Sequence, residues 1–289
     1  MTSVVIAAHN EAAVIGRCLD ALLASNPGLD VTVVANGCTD DTAAVAAARP
    51  GVRVVDRPEP GKAGALNAGD AVAQGFPRLY LDADIVLTPG GVHALAAAVA
   101  EPSGAGPAPL AAVPRRKLDL SGRPLLVRAF FAVNSRLPAY DRALFGRGAI
   151  ALSAQGRARF DTFPSVIADD LYLDSLFTYD EKREVESVVS TVATPRRTRD
   201  LVRRLVRVRA GNAAMRAASA AGDGPSGVRS SARSSWLRDV VLPRPWLWPA
   251  GACYAAITVT AAVTAKRRGG AVGWGHDESS RQAERQPAA

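Results

Sequence analysis

The first hundred residues switch between two hydrophobic periods, and that switching leaves few architectures open. "SVVIAA", Ser3 to Ala8, is a short β-branched run. In the "NEAAVIGRCLDALLAS" that follows, Val14, Ile15, Cys18, Leu19, Leu22 and Leu23 fall on one helical face. "VTVVA" reads as a second strand, and "TDDTAAVAAAR" as a helix opened by a capping threonine with acids in its first turn. "VRVV", "GKAGALNAGDAVAQG" and "RLYLDAD" continue the rhythm. Such alternation predicts an α/β fold, a mostly parallel sheet flanked by helices, with ligands beyond the carboxyl ends of the strands. Asn10 and Glu11, Asn36 and Gly37, and Asp82 to Asp84 each follow a predicted strand, so they are expected to converge on one crevice.

Past the loop "EPSGAGPAP" the region Leu110 to Ala193 is less regular. Strands are predicted at "LAAVP", "AIALS" and "VESVVSTVA", and helices at "LLVRAFFAVNSRL" and "ADDLYLDSLF". An arginine-rich helix over 196–218 leads into the flexible linker "AAGDGPSGVRSSARSS". Trp246 to Ala265 is an uncharged stretch of twenty residues, about 30 Å long as a helix, which matches a hydrocarbon core. Trp246 and Trp248 stand at one end and Lys266, Arg267 and Arg268 at the other, as interfacial anchors do. Its seven alanines, three threonines and Pro249 suit a buried helix as well. The expected organisation is a main α/β domain over 1–218 (halves 1–100 and 101–218), a flexible linker over 219–235, an apolar membrane-associated or transmembrane segment over 236–268 and a disordered tail over 269–289.

The net charge of +8 is concentrated: between Arg196 and Arg216 stand eight arginines against one acid, Asp200. A local basic segment points to a phosphate ligand or an anionic membrane surface. With neither zinc-ligand spacing nor an aromatic-studded basic stripe, no nucleic acid is expected. Three cysteines, odd in number and far apart, argue against a disulfide framework and for a reducing compartment. "MTSVVIAAHNEA" has no basic residue before its apolar run and reads as a strand rather than a signal peptide.

"YLDADIVL" places Asp82 and Asp84 two residues apart behind an apolar run. On a strand these are neighbours on one face and repel unless something positive lies between them. A solvated strand end and a divalent cation held by oxygen ligands are both consistent with that pair. The strands lack the glycine patterns GxGxxG and GxxxxGK[ST], which counts against a dinucleotide oxidoreductase and a phosphate-loop enzyme.

Five stretches in order, "VVIAAHNEAAVIGRCLDAL", "VVANGCTDDT", "GKAGALNAG", "YLDAD" and "IADDLYL", resemble the family 2 glycosyltransferases with the GT-A fold. The resemblance runs from the first strand to the arginine-rich helix. It implies inverting transfer of a single sugar from a nucleoside-diphosphate sugar to an acceptor hydroxyl, with a lipid or cell-envelope glycan among the acceptors to consider. It also implies a divalent cation, Mn2+ or Mg2+, with Asp84 as ligand and Asp82 near the ribose and the metal. By the same resemblance Asn10 and Glu11 contact the nucleoside, while Asn10 also suits a helix cap. Asn36 and Ala35 replace two acids common in the family, and Asn36 still offers a carbonyl to a base N–H. Lys62 and Asn67 match nucleotide-side contacts. Asp170 matches the general base, with Asp169 beside it. In "RRLVRVRAG", Arg207 keeps the arginine of the family's Gln-x-x-Arg-Trp segment, while Arg204 and Val208 replace its glutamine and tryptophan, which implies single transfer rather than processive synthesis. These arginines could meet the departing diphosphate or a membrane.

His9 and His93 read as structural, and Asp40 and Asp41 as partners of a helix N-terminus. The acceptor pocket is expected to draw on "RRKLDLSGRPLLVRAFFAVNSRLPAYDRALFGRGAI". The expected location is the cytoplasmic face of the cell membrane or the cytoplasm. A non-catalytic sugar-nucleotide or lipid-phosphate binding protein on the same scaffold is the alternative, and the retained acids at 82, 84, 169 and 170 argue against it. A nucleotidyltransferase would open with GGxGxR, which "AAHNEA" is not.

Overall fold

The runs of β-branched residues become strands because only a sheet buries both of their faces at once. A computed structural model describes residues 1–26, 28–100, 107–165, 169–220 and 234–267. Along the chain it contains β1 (Ser3–Ala8), α1 (Ala12–Ala24), β2 (Asp30–Asn36), α2 (Thr42–Ala47), β3 (Val52–Arg57), α3 (Lys62–Val72), β4 (Arg78–Leu81) and α4 (Gly91–Ala100). There follow β5 (Ala111–Asp119), α5 (Leu125–Asn134), β6 (Ala149–Leu152), α6 (Ala154–Arg157), α7 (Asp169–Ser175), β7 (Lys182–Ala193), α8 (Thr198–Ala220) and α9 (Trp248–Arg267).

Among the described residues the strands form one seven-stranded sheet in the order β3-β2-β1-β4-β6-β5-β7. The first four are parallel, with Val4 opposite both Val31 and Leu79. β6 runs antiparallel to β4 and β5, and β5 pairs in parallel with β7. Alternation within β1 sends Val4 and Ile6 to one face, where they meet Ile15, Leu19 and Leu95, and Val5 to the other, where it meets Leu66 and Ile150. The predicted mostly parallel α/β sheet is the observed one, and the three cysteines are free thiols.

Three local expectations are corrected. β4 stops at Leu81, so Asp82 and Asp84 are not neighbours on a strand face. The Asp82 N–H donates to Gly148 O at 2.8 Å, just past the last pair of the β4–β6 ladder, and a turn closed by Ile85 N–H on Asp82 O follows. Gly148, at φ 71°, permits that approach; a Cβ there would lie 2.3 Å from Ile85 Cγ1. Asn10 does not cap α1, whose preceding residue is Glu11; at φ 54° its Oδ1 accepts the Thr39 N–H at 2.8 Å. Thr39 in turn does not cap α2, because the Thr42 N–H is taken by Asp40 Oδ1.

A third apolar cluster joins α5, α8 and α9. Phe130 stacks on Tyr254 with ring centroids 4.9 Å apart, and Leu201, Val241 and Ile257 pack around them. α9 therefore lies along the protein with Gly251, Tyr254, Ile257 and Ala261 buried. Of the predicted linker only residues 219, 220, 234 and 235 are described, and the predicted tail over 269–289 lies outside the described residues.

Candidate active site

The loops after β1, β2 and β4 open on one side of the sheet, where a cleft of about 1420 Å³ is lined by Glu11, Asn36, Lys62, Asp82, Asp84, Asp169, Asp170 and Arg207. Residues far apart in sequence thus converge as the strand pattern predicts. At its centre, Lys62 Nζ lies 2.8 Å from Asp82 Oδ1 and 3.0 Å from Asp169 Oδ2. Burial pulls the lysine pKa down, but Asp169 and then Asp82 outweigh it and hold Lys62 well above its usual value. Much of the positive charge that the acids require is therefore supplied by the protein itself.

Asp170 stands beside this triad at the start of α7. Burial, then the charge of Asp169, pushes its pKa up to about 6, against the restraining effects of Lys62 and of the Gly146 N–H. That N–H donates to Asp170 Oδ2 at 2.9 Å and fixes the carboxylate. An ordinary aspartate titrates at about 4, so burial makes this carboxylate a stronger base than its residue type implies.

Three expected contacts are spent inside the protein. Asn36 is 1% exposed; its Nδ2 donates to Ala8 O at 2.7 Å and its Oδ1 accepts the Gly61 N–H at 3.0 Å. It ties the ends of β1 and β2 to the start of α3, although it forms part of the cleft wall. Asn67 does not line the cleft, because its amide is matched to Phe163, donating to O at 3.0 Å and accepting from N–H at 2.7 Å. Asn10, bonded to Thr39, also lies outside the lining.

His9 belongs to the cleft wall. Its Nδ1 lies 2.6 Å from Asn36 O, a pure acceptor, so that nitrogen carries the proton. Arg116 (its guanidinium carbon 3.9 Å from the Tyr140 ring centroid), Tyr140 and Asn134, all from the segment expected to supply an acceptor pocket, line the same cleft. Trp236, Tyr254 and Thr258 complete it from the C-terminal helices. No local sequence signal marks those three, since only the packing of α9 on α5 and α8 brings them there.

Asp82 and Asp84 offer hard oxygen donors, and the Asp82 side chain is 43% exposed to the cleft. Among the described residues no three His, Cys, Asp or Glu side chains gather into a metal site. Two carboxylates fit a cation completed by substrate phosphate oxygens and water, rather than one caged by protein.

Residues 3–131 match the family described as Glycosyl transferase family 2. No curated protein sequence matches the chain. Among solved structures, the mannosyltransferase PcManGT from Pyrobaculum calidifontis, in complex with GDP-Man and Mn2+, is 22% identical with a TM-score of 0.58. That likeness covers 92% of this chain and 79% of the other. S. aureus TarS 1-349 in complex with UDP-GlcNAc is 17% identical with a TM-score of 0.50, over 67% of this chain and 58% of that one. These likenesses establish a shared GT-A type fold.

Proposed function

We propose that this chain, whose residues 3–131 belong to glycosyl transferase family 2, moves a single sugar from a nucleoside-diphosphate sugar to an acceptor hydroxyl with inversion at the anomeric carbon. The observation that carries this reading is the meeting of Asp82, Asp84, Lys62, Asp169 and Asp170 in one cleft. The donor half is residues 1–100 and the acceptor half 101–218, with α9 completing the wall of the second.

Asp170 accepts the proton of the acceptor hydroxyl. The hydroxyl oxygen attacks the anomeric carbon from the face opposite the diphosphate, whose C–O bond breaks with the electron pair leaving on oxygen. A base with a pKa near 6 is largely ionised at neutrality and stronger than an ordinary aspartate. Gly146 holds it in place, and the neighbouring Asp169 carboxylate is engaged by the Lys62 ammonium. When bound, a Mn2+ or Mg2+ ion shared by Asp84 and Asp82 would neutralise the diphosphate leaving group. Arg207 and Glu11 border the same space and would meet the donor.

The relatives add support of a general kind, since structures of both PcManGT and TarS hold a nucleotide sugar. We assign the protein to the cytoplasmic face of a membrane, with α9 lying on the surface rather than crossing it. One face of α9 is buried against the protein, while the outer face, Ala252, Ala256, Val259, Thr260 and Val263, carries no charge. A surface helix on a water-exposed protein normally presents a polar outer face. Trp246, 73% exposed, and Trp248 stand at its start.

A panel of sugar nucleotides, scanned for thermal stabilisation with Mn2+ present, tests the donor reading, because a bound donor raises the melting temperature by mass action. At least one nucleotide sugar should stabilise the protein and be consumed when acceptor is supplied. If no nucleotide stabilises it at millimolar concentration, the transferase reading is wrong.

A further inference from the structure

We infer that the far half of the cleft takes an acceptor in which a hydroxyl, a phosphate and a hydrocarbon chain occur in that order: a lipid-phosphate-linked acceptor. The inference rests on the transferase reading of the same cleft and names the acceptor class. Its first support is how α8 distributes charge. The acid of α8, Asp200, lies 3.7 Å from Arg199 and 3.6 Å from Arg203, and neither of those arginines lines the cleft. Arg204, Arg207, Arg209 and Arg216 do line it. The helix thus directs its positive charge into the cleft and spends its negative charge outside. Guanidinium groups are the natural partners of a phosphate.

The second support is the apolar part of the lining. Phe130 and Phe131 on α5, with Val259 and Ala262 on α9, present apolar surface to the same space. Basic and apolar side chains line one cleft, which a sugar or a free phosphate alone would not require. The third support is α9 itself. Val259 lines the cleft yet is 61% exposed, so this wall borders the uncharged outer face of the same helix. A chain could pass from a lipid surface into the cleft along α9 without crossing water. The cleft also exceeds the 300–1,000 Å³ usual for one small ligand, which leaves room for donor and acceptor together. Asp170, beside Lys62, then receives the hydroxyl at the inner end.

The test uses the full chain and dodecyl phosphate below its micelle concentration, with dodecyl maltoside as a neutral amphiphile and inorganic phosphate as a bare head. Calorimetry should give saturable binding of dodecyl phosphate at one site, at least about tenfold tighter than either control. The double variant R209Q/R216Q should weaken it about tenfold, the worth of one charge-assisted hydrogen bond or more. A262W, which fills the apolar end, should weaken it similarly. Nucleotide stabilisation with Mn2+, read on the same samples, reports the donor site separately. If the nucleotide shift fails while the lipid series behaves as described, the transferase reading falls and the lipid site stands. Dodecyl phosphate binding no tighter than inorganic phosphate would overturn the proposal. So would binding indifferent to both variants, which would mean adsorption to the protein surface.

Discussion

The Lys62 ammonium lies 3.0 Å from an Asp169 carboxylate oxygen and so ties the first turn of α3 to the first turn of α7. The same ammonium reaches Asp82 at 2.8 Å, which makes one lysine the counter-ion of both the strand-end acid and the acidic pair. Lys62→Met should therefore disturb two sites at once. Without the cation that restrains it, Asp170 should become harder to ionise. The acid limb of the pH profile of kcat/KM should move upward from about 6, and nucleotide binding should weaken. An unchanged limb would show that Lys62 does not act on the base.

Asp170→Asn should lower transfer by about two to four orders of magnitude, the usual worth of a positioned base, while metal-dependent nucleotide binding persists. In the wild type the base works only when ionised, so activity should be present above a pH of about 6 and fall as pH drops through it. Stability runs the other way. A carboxyl raised above its unfolded value favours the folded state below the unfolded value, near 4, and loses that advantage as pH rises through 6. Asp170→Asn should then raise the melting temperature at neutral pH. If Asp170→Asn turns over normally and Asp169→Asn is dead, the base is Asp169.

Asp84→Asn should abolish the Mn2+-dependent part of nucleotide stabilisation and leave the melting temperature of the free protein nearly unchanged. Two carboxylates are all that the protein would supply to the cation, so losing one removes a large share of its contribution. Full transfer in excess chelator would contradict the assignment.

Asp70 lies outside the cleft lining and supports the fold. It accepts from Arg78 at 2.6 Å, from Arg157 at 2.9 Å and from the Tyr80 hydroxyl, and the Asp70 and Arg78 side chains are only 7% and 5% exposed. Asp70→Asn should cost about 3–5 kcal/mol, because it leaves a buried guanidinium uncompensated. Denaturant unfolding reads that loss; nucleotide binding by the folded fraction should be normal.

Trp246→Ser with Trp248→Ser should reduce co-sedimentation with vesicles of phosphatidylglycerol and phosphatidylcholine and leave folding intact, since both side chains are exposed. Tyr254→Ala should do the opposite, destabilising by about 3–5 kcal/mol through the cavity beneath Phe130. Equal vesicle binding by the tryptophan variant would place the membrane contact elsewhere.

The sequence by itself determined the alternating strands and helices, because the period of the apolar residues is a local property that burial alone enforces. It also determined the types of group at each strand end. Asp82, Asp84, Lys62, Asp169 and Asp170 were legible because the resemblance marked them and the strand pattern predicts a crevice there. What each side chain does was decided only by tertiary structure. Asn36 and Asn67 looked free to meet a ligand, but they are consumed by Gly61 and Phe163, partners 25 and 96 residues away. The partner of Asp82 is Lys62, 20 residues earlier in the chain, because β4 ends where the β6 ladder runs out and a turn redirects the acid. α9 read as a membrane-associated segment with a buried helix as the alternative, since hydropathy serves both; packing against α5 and α8 made it a wall of the cleft. Local sequence fixes which groups exist and how the backbone around them runs, whereas hydrogen bonds and charges are satisfied by whatever the fold brings within about 3 Å.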